Sequence, residues 1–350
     1  NDRFLSKKQG AAMRDYELEV LEQYDMEVKS TRKIRGAFFC DTCEGTMILK
    51  ETKISERRAA LMYIILSRLE LEAGMNVDTP VFSRDGVLVV TSREGRKYML
   101  KKWFSGRECD LKRESELVGA AETLAGLHRE LRWDAPPGCD GVTCPAAQRT
   151  PVEEMQRHNR EMKKVRSFIR NRVAKNEFEY LYLENFEKMY GLAERVTRQM
   201  EESGGMELFR RSLQEKHMVH GDYNYHNLME LPDGAAVTNF EHVRMDIQVS
   251  DLCYFLRKVM EKCHWKQKLG REILEAYEEG RHIDELERDY IGLWLAYPEK
   301  FWKTASSYAR SNKAWLPEKS VEKLQTAVQQ SEEKEAFLES LFSINLRKQI

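Results

Sequence analysis

The 350-residue sequence predicts an α+β protein, with a small sheet-bearing part over residues 1–103 and a larger, mainly helical part over 104–350. Three observations predict it. Between residues 31 and 100, short apolar runs alternate with turn signals. Beyond residue 110, long stretches carry apolar side chains at helical spacing. Between the two lies a polar connector, Ser105-Gly106-Arg107-Glu108-Cys109-Asp110.

The elements follow in order. Met13, Leu18 and Leu21, with Tyr16 and Tyr24, predict an amphipathic helix over 11–29. Ile34, Ala37, Phe38 and Phe39, a turn at 41–45, then Met47, Ile48 and Leu49 predict a hairpin ending at Lys50. Ser55 caps a helix over 56–72 that stops at Gly74. Val81-Phe82, Val87–Val90 and Tyr98–Leu100, parted by turns at Asp85-Gly86 and Glu94-Gly95, predict a meander. In the second part, 111–131 is a long helix and the proline-rich 134–151 a loop. Residues 152–203, 255–280 and 318–349 are charged and helical in period. Short strands fit at Val219, Leu228–Leu231 and Ala235–Phe240.

Bulk properties narrow the function. A third of the residues are charged, yet the net charge is −1, so no global field draws the chain to nucleic acid or anionic membrane. The basic run over 157–175 is interleaved with acids and predicts a solvated helix face. No apolar run approaches a membrane span, and no signal peptide is visible. Seven scattered cysteines suit reduced thiols better than a disulfide framework. Cys40, Cys43, Cys139 and Cys144 would make a four-thiolate zinc site if brought together, and are structural or incidental thiols otherwise.

The most informative stretch is His220-Gly221-Asp222-Tyr223-Asn224-Tyr225-His226-Asn227. An aspartate two residues after a histidine, with an asparagine five further on, has the spacing of a kinase catalytic loop. In such a loop the aspartate takes the proton of an attacking hydroxyl and the asparagine oxygen holds magnesium, a hard ligand for a hard ion. Asp222 and His220 are therefore the candidate catalytic residues, His220 as a buried strut beneath the loop. Asn227 is a candidate metal ligand. Lys50, closing its strand, is the candidate partner of nucleotide phosphates, and Glu56 the helix acid that would hold it.

With the connector Trp103–Asp110, the loop His220–Asn227, Ser250-Asp251-Leu252 with Arg257-Lys258, and Tyr297-Pro298-Glu299-Lys300-Phe301, the chain resembles the CotS-type spore coat proteins. These belong to the aminoglycoside and choline phosphotransferase branch of the protein-kinase-like superfamily. The resemblance implies a two-lobed kinase-like fold, ATP and magnesium as cofactors, and a small-molecule or coat acceptor. It also implies spore coat proteins as partners, and a place in the mother-cell cytoplasm and then the coat. Asp251, as N-cap of a helix over 251–263, would brace the loop.

One position departs from the family pattern. Active kinases carry a second metal ligand, an aspartate, after the hairpin that follows the loop. Here that position is Asn239, the second candidate metal residue. An amide oxygen lacks the full negative charge that a divalent ion bridging phosphates calls for. Glu241 or Asp246 would compensate only if brought to the ion. The sequence thus predicts a kinase-like coat protein with weak or absent phosphotransferase activity, and leaves an active enzyme as the alternative. The late aromatics Trp294, Tyr297, Phe301, Trp302, Tyr308 and Trp315 are expected in the core rather than in an acceptor pocket.

Overall fold

The computed structural model describes residues 19–34, 36–135, 141–311, 318–342 and 344. The chain folds as two compact units. Among the described residues, one is built from those within 19–110, 134–144 and 220–243, the other from those within 111–133, 145–219 and 244–344.

The first unit carries two sheets. The larger has the order β1(Val28–Ile34), β2(Ala37–Thr42), β3(Gly45–Glu51), β6(Lys97–Lys102), β5(Val90–Thr91), with antiparallel pairing throughout. The expected hairpin is β2–β3. The helix expected over 11–29 is not continuous: among the described residues it ends by Leu21, and β1 takes Val28–Ile34. Val28, Thr31 and Ile34 are β-branched, which favours strand over helix. Lys29, Arg32 and Lys33 keep this outer strand charged and exposed, as an unpaired edge requires. The meander is also shorter than expected. Val81-Phe82 and Val87–Val89 lie outside strands, and of these segments Val90–Thr91 alone forms a strand, paired with β6.

One face of the larger sheet buries Phe38, Cys40, Met47, Leu49, Tyr98 and Leu100 against Val20, Leu21 and Tyr24. Burial in this core pushes the Cys40 thiol up to about 12, so it stays a thiol. Helix α1(Glu56–Leu71) starts where predicted, because the Ser55 side chain accepts from the Arg58 amide. The second sheet has the order β4(Asn76–Val77), β10(Gly234–Val237), β9(Leu228–Leu231), β7(Arg107–Glu108). Its connector strand β7 lies so close to β9 that a methyl on Gly106 would run into the Glu230 carbonyl and the Leu231 side chain.

The second unit is helical apart from the short pair β8(Met218–Val219) and β11(Arg244–Met245). Its helices are α2(Glu114–Glu130), α3(Pro151–Arg170), α4(Glu177–Glu202), α5(Gly205–Gln214), α6(Val249–Met260), α7(Gln267–Gly280), α8(Glu285–Ala296), α9(Glu299–Arg310), α10(Glu318–Gln329) and α11(Ser331–Phe342). Capping boxes at Thr150/Glu153 and Asn176/Glu179 set the starts of the long α3 and α4. Of the late aromatics, Tyr297, Phe301, Trp302 and Tyr308 are core, as expected, and Trp294 is only half-buried: Phe301 stacks on Tyr182 with ring centres 4.9 Å apart, and Tyr308 on Phe178 at 4.3 Å. Trp315 and Cys139 lie outside the described residues. Among the described residues no helix is long and apolar enough to cross a membrane.

Candidate active site

The octet His220–Asn227 leads into β9, and Asn239 follows β10, so the β9–β10 hairpin sets the distance between them. His220 is fully buried. Its Nδ1 accepts from the Asp222 amide at 3.1 Å, and its Nε2 faces the Thr238 carbonyl at 2.9 Å. One nitrogen must accept and the other must donate, which is the pattern of a neutral imidazole carrying its proton on Nε2. His220 thus ties the start of the loop to the strand beyond the hairpin. The structure gives it the place of a strut, with Phe240 against its ring.

Asp222 is half-buried and sits among amides. Its Oδ1 accepts from Asn224 Nδ2 at 3.1 Å and its Oδ2 from Asn227 Nδ2 at 3.0 Å. Both side chains also donate to the Asp222 carbonyl, each at 2.8 Å. The carboxylate is therefore oriented by two neutral donors. The short helical turn 225–227 holds Asn227 in this position: the Asn224 side chain caps it at the His226 amide, and the Asn227 amide bonds back to the Asn224 carbonyl.

The Asn227 oxygen faces Asn239. Asn239 Nδ2 donates to Asn227 Oδ1 at 3.2 Å. Asn239 has a left-handed backbone (φ 75°, ψ 46°), which asparagine tolerates better than most residues. Its amide donates to Asp78 Oδ2 at 2.9 Å. Arg58 of α1 donates to the carbonyls of Glu241 and Val243, which holds the turn 240–242 from outside.

Sequence reasoning missed the second half of this site. Asp78 Oδ2 also meets Lys101 Nζ at 2.5 Å, and both side chains are almost wholly buried. The other oxygen of Asp78 has no hydrogen-bond partner among the described residues. One signal was available: Lys101 interrupts the apolar run Tyr98-Met99-Leu100, and a lysine buried there needs a carboxylate.

Lys50 and Glu56 are not brought together. Lys50 is exposed on β3, and its side chain forms no hydrogen bond or ion pair among the described residues. Glu56 spends its carboxylate on the amides of Leu88 and Val89, each at 2.8 Å. Met47 and Leu49 face the core cluster, so Lys50 shares the opposite face with Ile48. Lys101 stands directly across from Ile48 on β6, so it belongs to that same face.

Asp246 is committed to Arg244, whose Nη2 lies 2.7 Å from its carboxylate, in the helical unit. Asp251 does not cap a helix. It lies inside the first turn of α6, where its carboxylate meets His128 Nε2 at 3.3 Å.

The model of the family described as "Spore coat putative kinase YutH" matches residues 17–341. The chain belongs to that family. Solved structures agree on the fold of this coat kinase family member. An aminoglycoside phosphotransferase from Alicyclobacillus acidocaldarius superposes with a TM-score of 0.80 at 18% identity, covering 97% of this chain and 98% of that one. The spectinomycin phosphotransferase APH(9)-Ia, solved with ADP and spectinomycin, gives 0.62 at 12% identity, with 93% and 99% covered. A microcompartment-associated aminopropanol kinase gives 0.58 at 15%, with 92% and 96% covered. At these identities the likeness establishes the aminoglycoside phosphotransferase-like fold alone. No curated protein sequence matches the chain.

Proposed function

We propose that this protein is a kinase-shaped component of the spore coat whose phosphotransferase chemistry is weak or lost, and that it acts by assembling with coat proteins. One observation carries the reading. Where an aspartate would supply the second charge for a divalent ion, Asn239 presents an amide nitrogen to Asn227. The exposed Lys50 side chain, unpaired among the described residues, and the engagement of Glu56 with backbone amides support it as well. Family membership supports a place in the coat, reached through the mother-cell cytoplasm.

A second reading, an ATP- and magnesium-dependent enzyme acting on a hydroxyl of a small molecule, sugar or coat component, is favoured by the intact Asp222–Asn227 pairing. Phosphoryl transfer relies on positioning and charge neutralisation, and this pairing retains the positioning. A complementation experiment separates the two. Spores of a deletion strain carrying wild type or Asp222→Ala are compared for coat protein content, and the purified chains for ATP turnover with magnesium. The proposal expects both forms to restore the coat and neither to turn over ATP. Turnover that Asp222→Ala abolishes, together with a coat that only the wild type restores, would replace it with the enzyme.

A further inference from the structure

We infer that the Asn239 carboxamide stands where a divalent cation would sit and joins Asn227 directly, so that this centre holds together without metal. The inference rests on the reading above, in which phosphotransfer is weak or lost.

The polarity of the bond follows from Asp222. A carboxylate and a carbonyl only accept hydrogen bonds. Both Asp222 acceptors are met by the same group of Asn227, at 2.8 and 3.0 Å, so that group is the Asn227 NH2. The Asn227 oxygen must therefore point the other way, to Asn239. The atom of Asn239 at 3.2 Å from it must in turn be a donor, the NH2. Each link fixes the next, and no ambiguity of amide orientation is left.

Magnesium asks for something different. It needs oxygen lone pairs at about 2.0–2.1 Å in near-octahedral array. Of the two side-chain atoms that face each other here, one is an oxygen and the other an N–H group, so the donor set does not fit the ion. Turning the Asn239 amide over would set oxygen against oxygen and lose the bond. The residue cannot easily move aside either. Its own amide is held by Asp78, Asp78 is held by Lys101, and Arg58 holds the two carbonyls that follow. The gap that a cation would bridge is closed by one hydrogen bond.

Thermal unfolding of the full chain without nucleotide, in EDTA and in millimolar magnesium chloride at matched ionic strength, tests this. The wild-type midpoint is expected to be the same in both. Asn239→Asp places a carboxylate oxygen against the Asn227 oxygen, and should lower the midpoint in EDTA by about 2–4 °C. Magnesium should then restore it, because binding to the folded state alone stabilises it. A wild-type midpoint that rises saturably with magnesium overturns the inference. So does an Asn239→Asp chain that EDTA leaves unchanged, or one whose loss magnesium does not recover. If Asn239→Asp does not fold, the wild-type titration decides by itself. A magnesium-stabilised wild type without ATP turnover would sink the inference and leave the proposed function standing.

Discussion

The polar centres of the two units are built from different chemistry. In the first unit, Asp222, Asn224, Asn227 and Asn239 are linked by amide donors, and the buried charge of Asp78 is met by a lysine. In the second, two buried imidazoles have their protonation disfavoured by burial. His128 sits between the Tyr277 hydroxyl at 2.7 Å and Asp251, and His158 stacks on Trp302 with ring centres 3.3 Å apart. Amides do not titrate and imidazoles do. Burial holds His128 below the ordinary imidazole range, and burial with the nearby Arg157 charge lowers His158 to about 4. These two imidazoles are therefore groups of the helical unit whose protonation opposes its fold as pH falls.

The largest effect should come from breaking the charged pair. Lys101→Met leaves the Asp78 carboxylate buried without its cation, and should cost about 3–5 kcal/mol in denaturant unfolding. Replacing both residues by apolar ones of similar shape should recover most of that loss. A single variant within about 0.5 kcal/mol of wild type would show that the pair does not hold Asn239.

The next effect is on acid stability. The unfolded chain protonates His158 near pH 6.5, whereas the folded chain does so only near 4. Stability associated with this group is therefore complete above pH 6.5 and lost as pH falls toward 4. The full difference is about 3 kcal/mol. The measurement is unfolding free energy against pH for wild type and His158→Gln. The wild type should lose more than the variant over that window, and parallel curves would remove His158 from the account.

The smallest effect concerns the other lysine of the same sheet face. Lys50→Ala removes an exposed side chain that has no partner among the described residues, and should change stability by less than about 0.5 kcal/mol. Its value lies in nucleotide titration. An ATP-induced rise of the unfolding midpoint that vanishes in Lys50→Ala would give this lysine a phosphate-binding role. A rise that survives would shift attention to Lys101.

The sequence made local features legible. The start of α1 was visible from Ser55, and the catalytic-like loop from the spacing of His220, Asp222 and Asn227, because each is settled within a few residues. The β2–β3 hairpin was visible from its turn and flanking apolar runs. What escaped was long-range. Asp78 and Lys101 lie 23 residues apart, and the bridge of Pro80 to Lys101, with the backbone bonds beside it, brings their side chains into one buried space. The substitution at Asn239 was evident, but not the direction of its hydrogen bond, which depends on an aspartate 17 residues earlier through an intervening amide. Glu56 was placed on the right helix and given the wrong partner, because free amides at Leu88 and Val89 leave no mark in composition.

The parallel pairing of β4 with β10 also bears on the order of synthesis. Asn76 and Val77 find their partners at Ala236 and Val237, about two-thirds of the way along the chain. A ribosome must make nearly all of the material between before the second sheet of the first unit can close. Contacts of such long range slow folding, and during that interval the emerging strands wait with unpaired edges. A fragment ending at residue 110 would carry the same handicap permanently, since β9 and β10 would never arrive.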